Sequence, residues 1–258
     1  MDDRHHHGRA IAQFCILAIL VALFTVACQF QRPQAEPTIT LPPPTEGPIR
    51  VLFVGNSLTF YNNGINYHLN GFTRTFQAGS VSQPNYAWQD HWNSPDTRQS
   101  IQSGGWTHIV LQEQSQLPVI NPSFSEDFAE KLSAEVRQSG AEPILMMTWE
   151  RRDSLDKGVT TDNLWKAYAA LGQTLGVYVA PVGLAFERAQ QNRPDLVLAE
   201  SDAHPTLYGT YLAACVIYGF LMQVSPVGLV YRPAEMSAED ALFLQQMASE
   251  TLGLENRR

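Results

Sequence analysis

Two short polar segments near opposite ends of the chain carry the residues best suited to chemistry. The first is Gly55-Asn56-Ser57, which follows the apolar run Val51-Leu52-Phe53-Val54; the second is Ser201-Asp202-Ala203-His204-Pro205. A serine hydroxyl is a weak nucleophile until a base takes its proton, and a histidine oriented by a carboxylate is the usual base. Ser57 and His204 can supply that pair. Asp202 is the first choice as the orienting acid, Glu200 the second, and a Ser–His dyad the third. Both segments also have plainer readings, since Ser57 fits an N-cap serine and Asp202 fits the cap of a helix starting at Pro205.

The elements that must position these residues follow from hydrophobic patterning. Strands are expected at 50–54, 107–112, 143–148 and 177–180, with a weak one at 80–82, and helices at 63–77, 96–103, 121–139, 161–175, 205–222 and 237–252. Apolar strands alternating with longer helical segments argue for a mainly parallel sheet covered on both faces, an α/β fold of three αβα layers. In such a sheet the strands end along one edge, where ligands bind. Ser57, Gln112-Glu113-Gln114-Ser115 and Thr148-Trp149-Glu150 therefore belong to one edge. Gly55 permits a tight turn, and the N–H groups after it are ready anion donors. Proline at a first helical position would leave His204 just outside the last long helix but one. Trp88 and Trp149 fit either stacking on a carbohydrate or burial in the core. His91 reads as a hydrogen-bonded loop residue, and 150–153 as a solvated rim.

Composition and charge bound the rest. The 258 residues are 44% hydrophobic and 10% aromatic, enough for one sizeable domain. The formal charge of −8, with no basic patch, argues against a nucleic-acid partner. Arg4 and Arg9 precede an apolar run from Ile11 to Ala27, the pattern of an export signal. Residues 1–27 are thus read as a signal peptide or a membrane anchor, since roughly 20 apolar residues can span a bilayer. Val26-Ala27-Cys28 resembles a bacterial lipoprotein box, in which Cys28 would be lipidated; Thr25 stands where that box usually carries Leu. The domain is then exported and tethered to the membrane through a lipid or an anchor. Residues 28–48 are a Pro-rich, extended linker, and 49–258 form the folded domain. Cys15 lies in the leader and Cys28 would carry the lipid, so Cys215, in an apolar helical run, has no disulfide partner and reads as a core residue. No cofactor is called for, and no metal, because no His/Asp/Glu cluster has ligand spacing.

The two polar segments resemble the end blocks of the SGNH, or GDSL-like, esterases and acylhydrolases. Gly55-Asn56-Ser57-Leu58-Thr59 looks like the first block, which carries the nucleophile, and Asp202-Ala203-His204-Pro205 like the last. Ile109-Val110-Leu111-Gln112-Glu113-Gln114-Ser115 stands where the third block places a side-chain amide in the oxyanion hole. The resemblance spans about residues 50–222 and implies a flavodoxin-like αβα sandwich and a serine nucleophile. Several positions depart from the pattern. Asn56 replaces the usual Asp, as in a branch of the family that also reads Leu-Gln-Glu-Gln-Ser. The oxyanion amide is Gln114 by residue count or Gln112 by strand-end position. Where a glycine N–H is usual the chain has Pro84-Asn85, so Asn85 supplies the N–H or the hole is weaker, by about 3 kcal/mol for one lost donor. The acid usually stands three residues before the histidine, at Ser201 here.

The resemblance thus implies a serine esterase removing an acyl, acetyl-like, group from a carbohydrate or lipid ester, with Ser57, His204 and Asp202 catalytic and the N–H of Ser57 joining Asn85, Gln112 or Gln114 in the oxyanion hole. A non-catalytic carbohydrate-binding lipoprotein and an acyltransferase are the alternatives on the same fold. The sequence assigns no oligomeric state.

Overall fold

Strands β1 (Ile49–Gly55), β2 (Phe76–Ser82), β3 (His108–Leu111), β4 (Glu142–Met146) and β5 (Tyr178–Ala180) make one sheet in the order β2-β1-β3-β4-β5. All four pairings are parallel. The computed structural model describes residues 37–45 and 47–257. The proposed leader, with the lipidation candidate Cys28, and the start of the Pro-rich stretch lie outside the described residues.

The central strands are continuous apolar runs because helices cover them on both sides. Alternate residues divide between two cores: Val51, Phe53, Val110 and Ile144 face one, Leu52, Val54, Ile109 and Leu145 the other. The helices are α1 (Ser57–Phe60), α2 (Ile65–Phe72), α3 (Trp88–Asn93), α4 (Pro95–Ser103), α5 (Leu117–Ile120), α6 (Pro122–Gln138), α7 (Thr161–Leu175), α8 (Val182–Asn192), α9 (Leu207–Met222) and α10 (Ala238–Leu252). Residues of α2, α8, α9 and α10 fill the first core, and residues of α3, α4, α6 and α7 the second. The result is a three-layer αβα sandwich in the flavodoxin-like strand order.

Several boundaries differ from the sequence reading, each for a local reason. The helix expected at 63–77 is confined to α2, because Asn62, Asn63 and Gly64 all have positive φ and Thr73 turns extended before β2. Strand β2 starts at Phe76 rather than Ser80; as an outer strand its residues are mostly half-exposed, so no apolar run marks it. Helix α8 follows Pro181 directly and was not foreseen. Pro205 is not the first residue of α9: it pairs with Ala199 in an antiparallel bridge, and Thr206 caps the helix with its side chain on the Gly209 N–H.

Helix α9 is apolar nearly all round and buried through most of its length, as a helix enclosed on every side must be. Cys215 lies within it, fully buried, and burial pushes its thiol pKa up, away from nucleophilic use. Ahead of β1, Ile39 and Leu41 pack against the first core, and the Gln223 side-chain amide donates to the Pro42 carbonyl. Among the described residues no helix is long and apolar enough to cross a membrane.

Candidate active site

The order β2-β1-β3 makes β1 the strand from which the chain winds in opposite directions, and the crevice beyond its carboxyl end is where an open α/β sheet binds ligands. Ser57 follows β1 and Gln112–Gln114 follow β3, so both border this crevice.

Helix α1 turns Ser57 toward solvent. Asn56 is the N-cap, its side-chain oxygen accepting from Leu58 N at 3.1 Å, so the capping role considered for Ser57 falls to its neighbour. The Asn56 amide also donates to the Tyr86 carbonyl at 2.9 Å, tying α1 to the loop after β2. Gly55 is required by close approach: a Cβ there would lie 2.6 Å from Gln112 Oε1. The Gly55 carbonyl accepts from His91 Nε2 at 2.8 Å, while His91 Nδ1 accepts from Thr97 Oγ1 at 3.0 Å. His91 is fully buried, and its pKa is lowered by desolvation. It therefore supports the turn leading into Ser57 from behind, as a neutral ring.

His204 arrives from the other end of the domain. Its Nε2 lies 2.9 Å from Ser57 Oγ. The loop before α9 holds it: Glu200 N donates to the His204 carbonyl at 2.8 Å, Trp149 Nε1 to the Ala203 carbonyl at 3.0 Å, and Asn62 Nδ2 to the Pro205 carbonyl at 2.8 Å. Ala203 sits at φ +70°, a left-handed conformation that costs a residue with a Cβ about 1 kcal/mol and persists only under such constraint. Tyr61, one turn after Ser57, stacks on the imidazole at 4.2 Å between ring centroids and 13° between planes.

Asp202 reaches the far side of the ring. Its Oδ2 is 2.8 Å from His204 Nδ1 and its Oδ1 accepts from His204 N at 3.1 Å. The proximity of His204, its ring foremost and its backbone N–H next, holds the Asp202 carboxyl below the usual range. The carboxylate lies off the N–H direction, however, so Nδ1 has no aligned hydrogen bond. The distance makes this an ion-pair contact, and the side chain is 64% exposed. Asp202 caps no helix. No side-chain hydrogen bond or ion pair joins Glu200 to His204 among the described residues.

The oxyanion candidates separate clearly. Gln112 is fully buried with both amide atoms committed, Oε1 accepting from Asn56 N at 2.8 Å and Nε2 donating to the Glu113 carbonyl. Gln114 uses only its oxygen, which accepts from Gln116 N at 2.8 Å and Leu117 N at 3.2 Å and leaves the amide N–H groups without a partner among the described residues. Asn85 takes φ +62°, the second central position of a turn in which Tyr86 N bonds to the Gln83 carbonyl. Pro84 before it suits the first central position, and Asn tolerates the left-handed one best after glycine. The N–H groups of Asn85 and Ser57 have no partner among the described residues.

Trp88 and Trp149 are packed in the core, 0% and 3% exposed, and neither offers a face to a sugar. On the rim, Arg151 is paired with Asp153 at 2.7 Å and donates to Ser115 Oγ at 3.2 Å. Among the described residues no His, Cys, Asp and Glu side chains cluster as metal ligands. The positioning roles of Tyr61, Asn62, His91 and Trp149 were not read from the sequence; only Asn62-Asn63-Gly64 carries a local signal, that of a turn.

No protein-family profile and no curated protein sequence matches this chain. Solved structures do. A candidate SGNH hydrolase from Slackia heliotrinireducens superimposes with a TM-score of 0.59 at 24% identity, over 67% of this chain and 98% of the other. A DUF4886 family protein from Bacteroides uniformis gives 0.64 at 16% identity, over 79% and 94%. An acetylxylan esterase from Geobacillus stearothermophilus gives 0.54 at 12% identity, over 69% and 95%. The domain has the fold of the SGNH hydrolases.

Because Asp202 is solvated and misaligned, Asp202→Ala should lower kcat/KM for ester hydrolysis by only about ten- to a hundredfold, against the roughly 10⁴ lost when an aligned, buried acid is neutralised. Steady-state kinetics beside His204→Ala measure this; equal losses in the two variants would instead mean that the acid closes onto Nδ1 during turnover.

Proposed function

We propose that this chain is a serine esterase of the SGNH type, and the observation that carries the reading is the 2.9 Å contact between Ser57 Oγ and His204 Nε2 with Asp202 at the opposite ring nitrogen. His204 Nε2 takes the hydroxyl proton as Ser57 Oγ attacks the acyl carbon. The carbonyl oxygen of the tetrahedral intermediate, now an anion, is held by the N–H of Ser57, the amide of Gln114 and the N–H of Asn85, three donors without another partner among the described residues. Collapse breaks the bond to the alcohol, which leaves with the proton from His204 Nε2. Water, deprotonated by the same nitrogen, then releases the acid and regenerates Ser57. Asp202 steadies the imidazolium throughout.

The substrate reading is an acyl, acetyl-like, ester of a carbohydrate or lipid, supported by the structural likeness to an acetylxylan esterase. The location reading is outside the cytoplasmic membrane, tethered through Cys28 or the apolar run before it, and rests on the leader pattern.

Hydrolysis of p-nitrophenyl acetate and longer acyl esters by the full chain should fall by about 10³-fold or more in both Ser57→Ala and His204→Ala. Equal activity in folded wild type and variants would reject the esterase. In cell fractions, the protein should sediment with membranes and Cys28→Ala should move to the soluble exported fraction; a Cys28→Ala protein that stays with the membrane would replace the lipid with an anchor.

A further inference from the structure

Glu113 is fully buried and takes no part in the chemistry above. Its Oε1 accepts two backbone N–H groups, from Trp88 at 2.8 Å and from Gln114 at 2.8 Å. Those two groups belong to different crossovers. Trp88 opens α3, just after the turn that carries Asn85, while Gln114 is itself the residue whose amide N–H groups have no partner among the described residues. One oxygen atom thus joins the two segments that flank the nucleophile's N–H.

Among the described residues Oε2 has no hydrogen bond of aligned geometry; the Ser125 hydroxyl lies near enough to favour the carboxylate, and the buried Tyr168 hydroxyl feels its charge. Burial, the foremost cause, raises the Glu113 pKa to about 7, with the bonds from Trp88, Gln114 and Ser125 opposing it and the charge of Asp90 adding to it. Burying an acid in this way is costly, and an apolar side chain of similar volume would leave two N–H groups unpaired.

We infer that Glu113 is a positioning residue of the oxyanion site: its Oε1 clamps the Trp88 and Gln114 N–H groups together and so fixes the spacing between the Asn85 N–H and the Gln114 amide. The inference rests on the esterase reading. It assigns the work to an acceptor atom at a set reach, not to the charge. Gln at this position keeps that acceptor and offers an N–H₂ to the surrounding hydroxyls; Asp keeps the acid and shortens the reach by one carbon.

The test is steady-state hydrolysis of p-nitrophenyl acetate by the full chain, with competitive inhibition by phenylboronic acid as a mimic of the tetrahedral intermediate. Glu113→Gln should hold kcat within about threefold of wild type, while Glu113→Asp and Glu113→Ala should lose about thirtyfold or more in kcat, with KM within about threefold and boronate affinity falling in step. A residue needed only for stability would lower the melting temperature and leave kcat and boronate affinity of the folded fraction unchanged, which would overturn the inference. Glu113→Gln as impaired as Glu113→Ala would overturn it too, and that variant decides the matter if the other two do not fold. A wild type without Ser57-dependent hydrolysis would reject the esterase reading instead.

Discussion

The contact between Ser57 Oγ and His204 Nε2 joins residues 147 positions apart, and its 2.9 Å length has to be set by everything between them. Proton transfer tolerates little error in such a distance. Neither residue can set it alone, because Ser57 sits at the start of a four-residue helix and His204 in a loop. The sheet sets it. Parallel pairing brings the end of β1 beside the end of β3, and the two cores clamp the sheet from either face, so that α9 returns its leading loop to the same edge.

Between sheet and site lies a layer of buried and half-buried polar side chains, each bonded to the backbone of another loop. Asn56 holds the Tyr86 carbonyl, Gln112 the Asn56 N–H, His91 the Gly55 carbonyl, Asn62 the Pro205 carbonyl and Trp149 the Ala203 carbonyl. Buried polar groups are stable only when paired, so each bond fixes two segments at once. Ala203, in its strained conformation next to His204, shows what this layer withstands. Asp202 stands apart from it, exposed and bonded within its own turn.

The parts of this arrangement that could be read from the sequence are those that burial writes locally. Strands β1, β3 and β4 are apolar because both their faces are covered, and α7 ends where Gly176 takes the left-handed cap. Ser57 and His204 were legible from residue type at element boundaries. Strand β2 was largely missed because an outer strand needs no apolar run, and α8 because it follows Pro181 with no linker to announce it. The choice between Gln112 and Gln114 could not be made from spacing, since it depends on which amide the Asn56 N–H reaches. Asn85 shows the opposite case: a glycine is absent, yet the left-handed turn it would supply is present.

The proposed hydrolysis needs an activated serine at the β1 switch point, and intact-protein mass spectrometry after treatment with a fluorophosphonate tests that most directly. One phosphonyl adduct per folded chain is expected, mapped by peptide fragmentation to Ser57 and lost in His204→Ala. A folded wild-type protein that takes up no adduct, or carries it on another serine, would contradict the proposed hydrolysis.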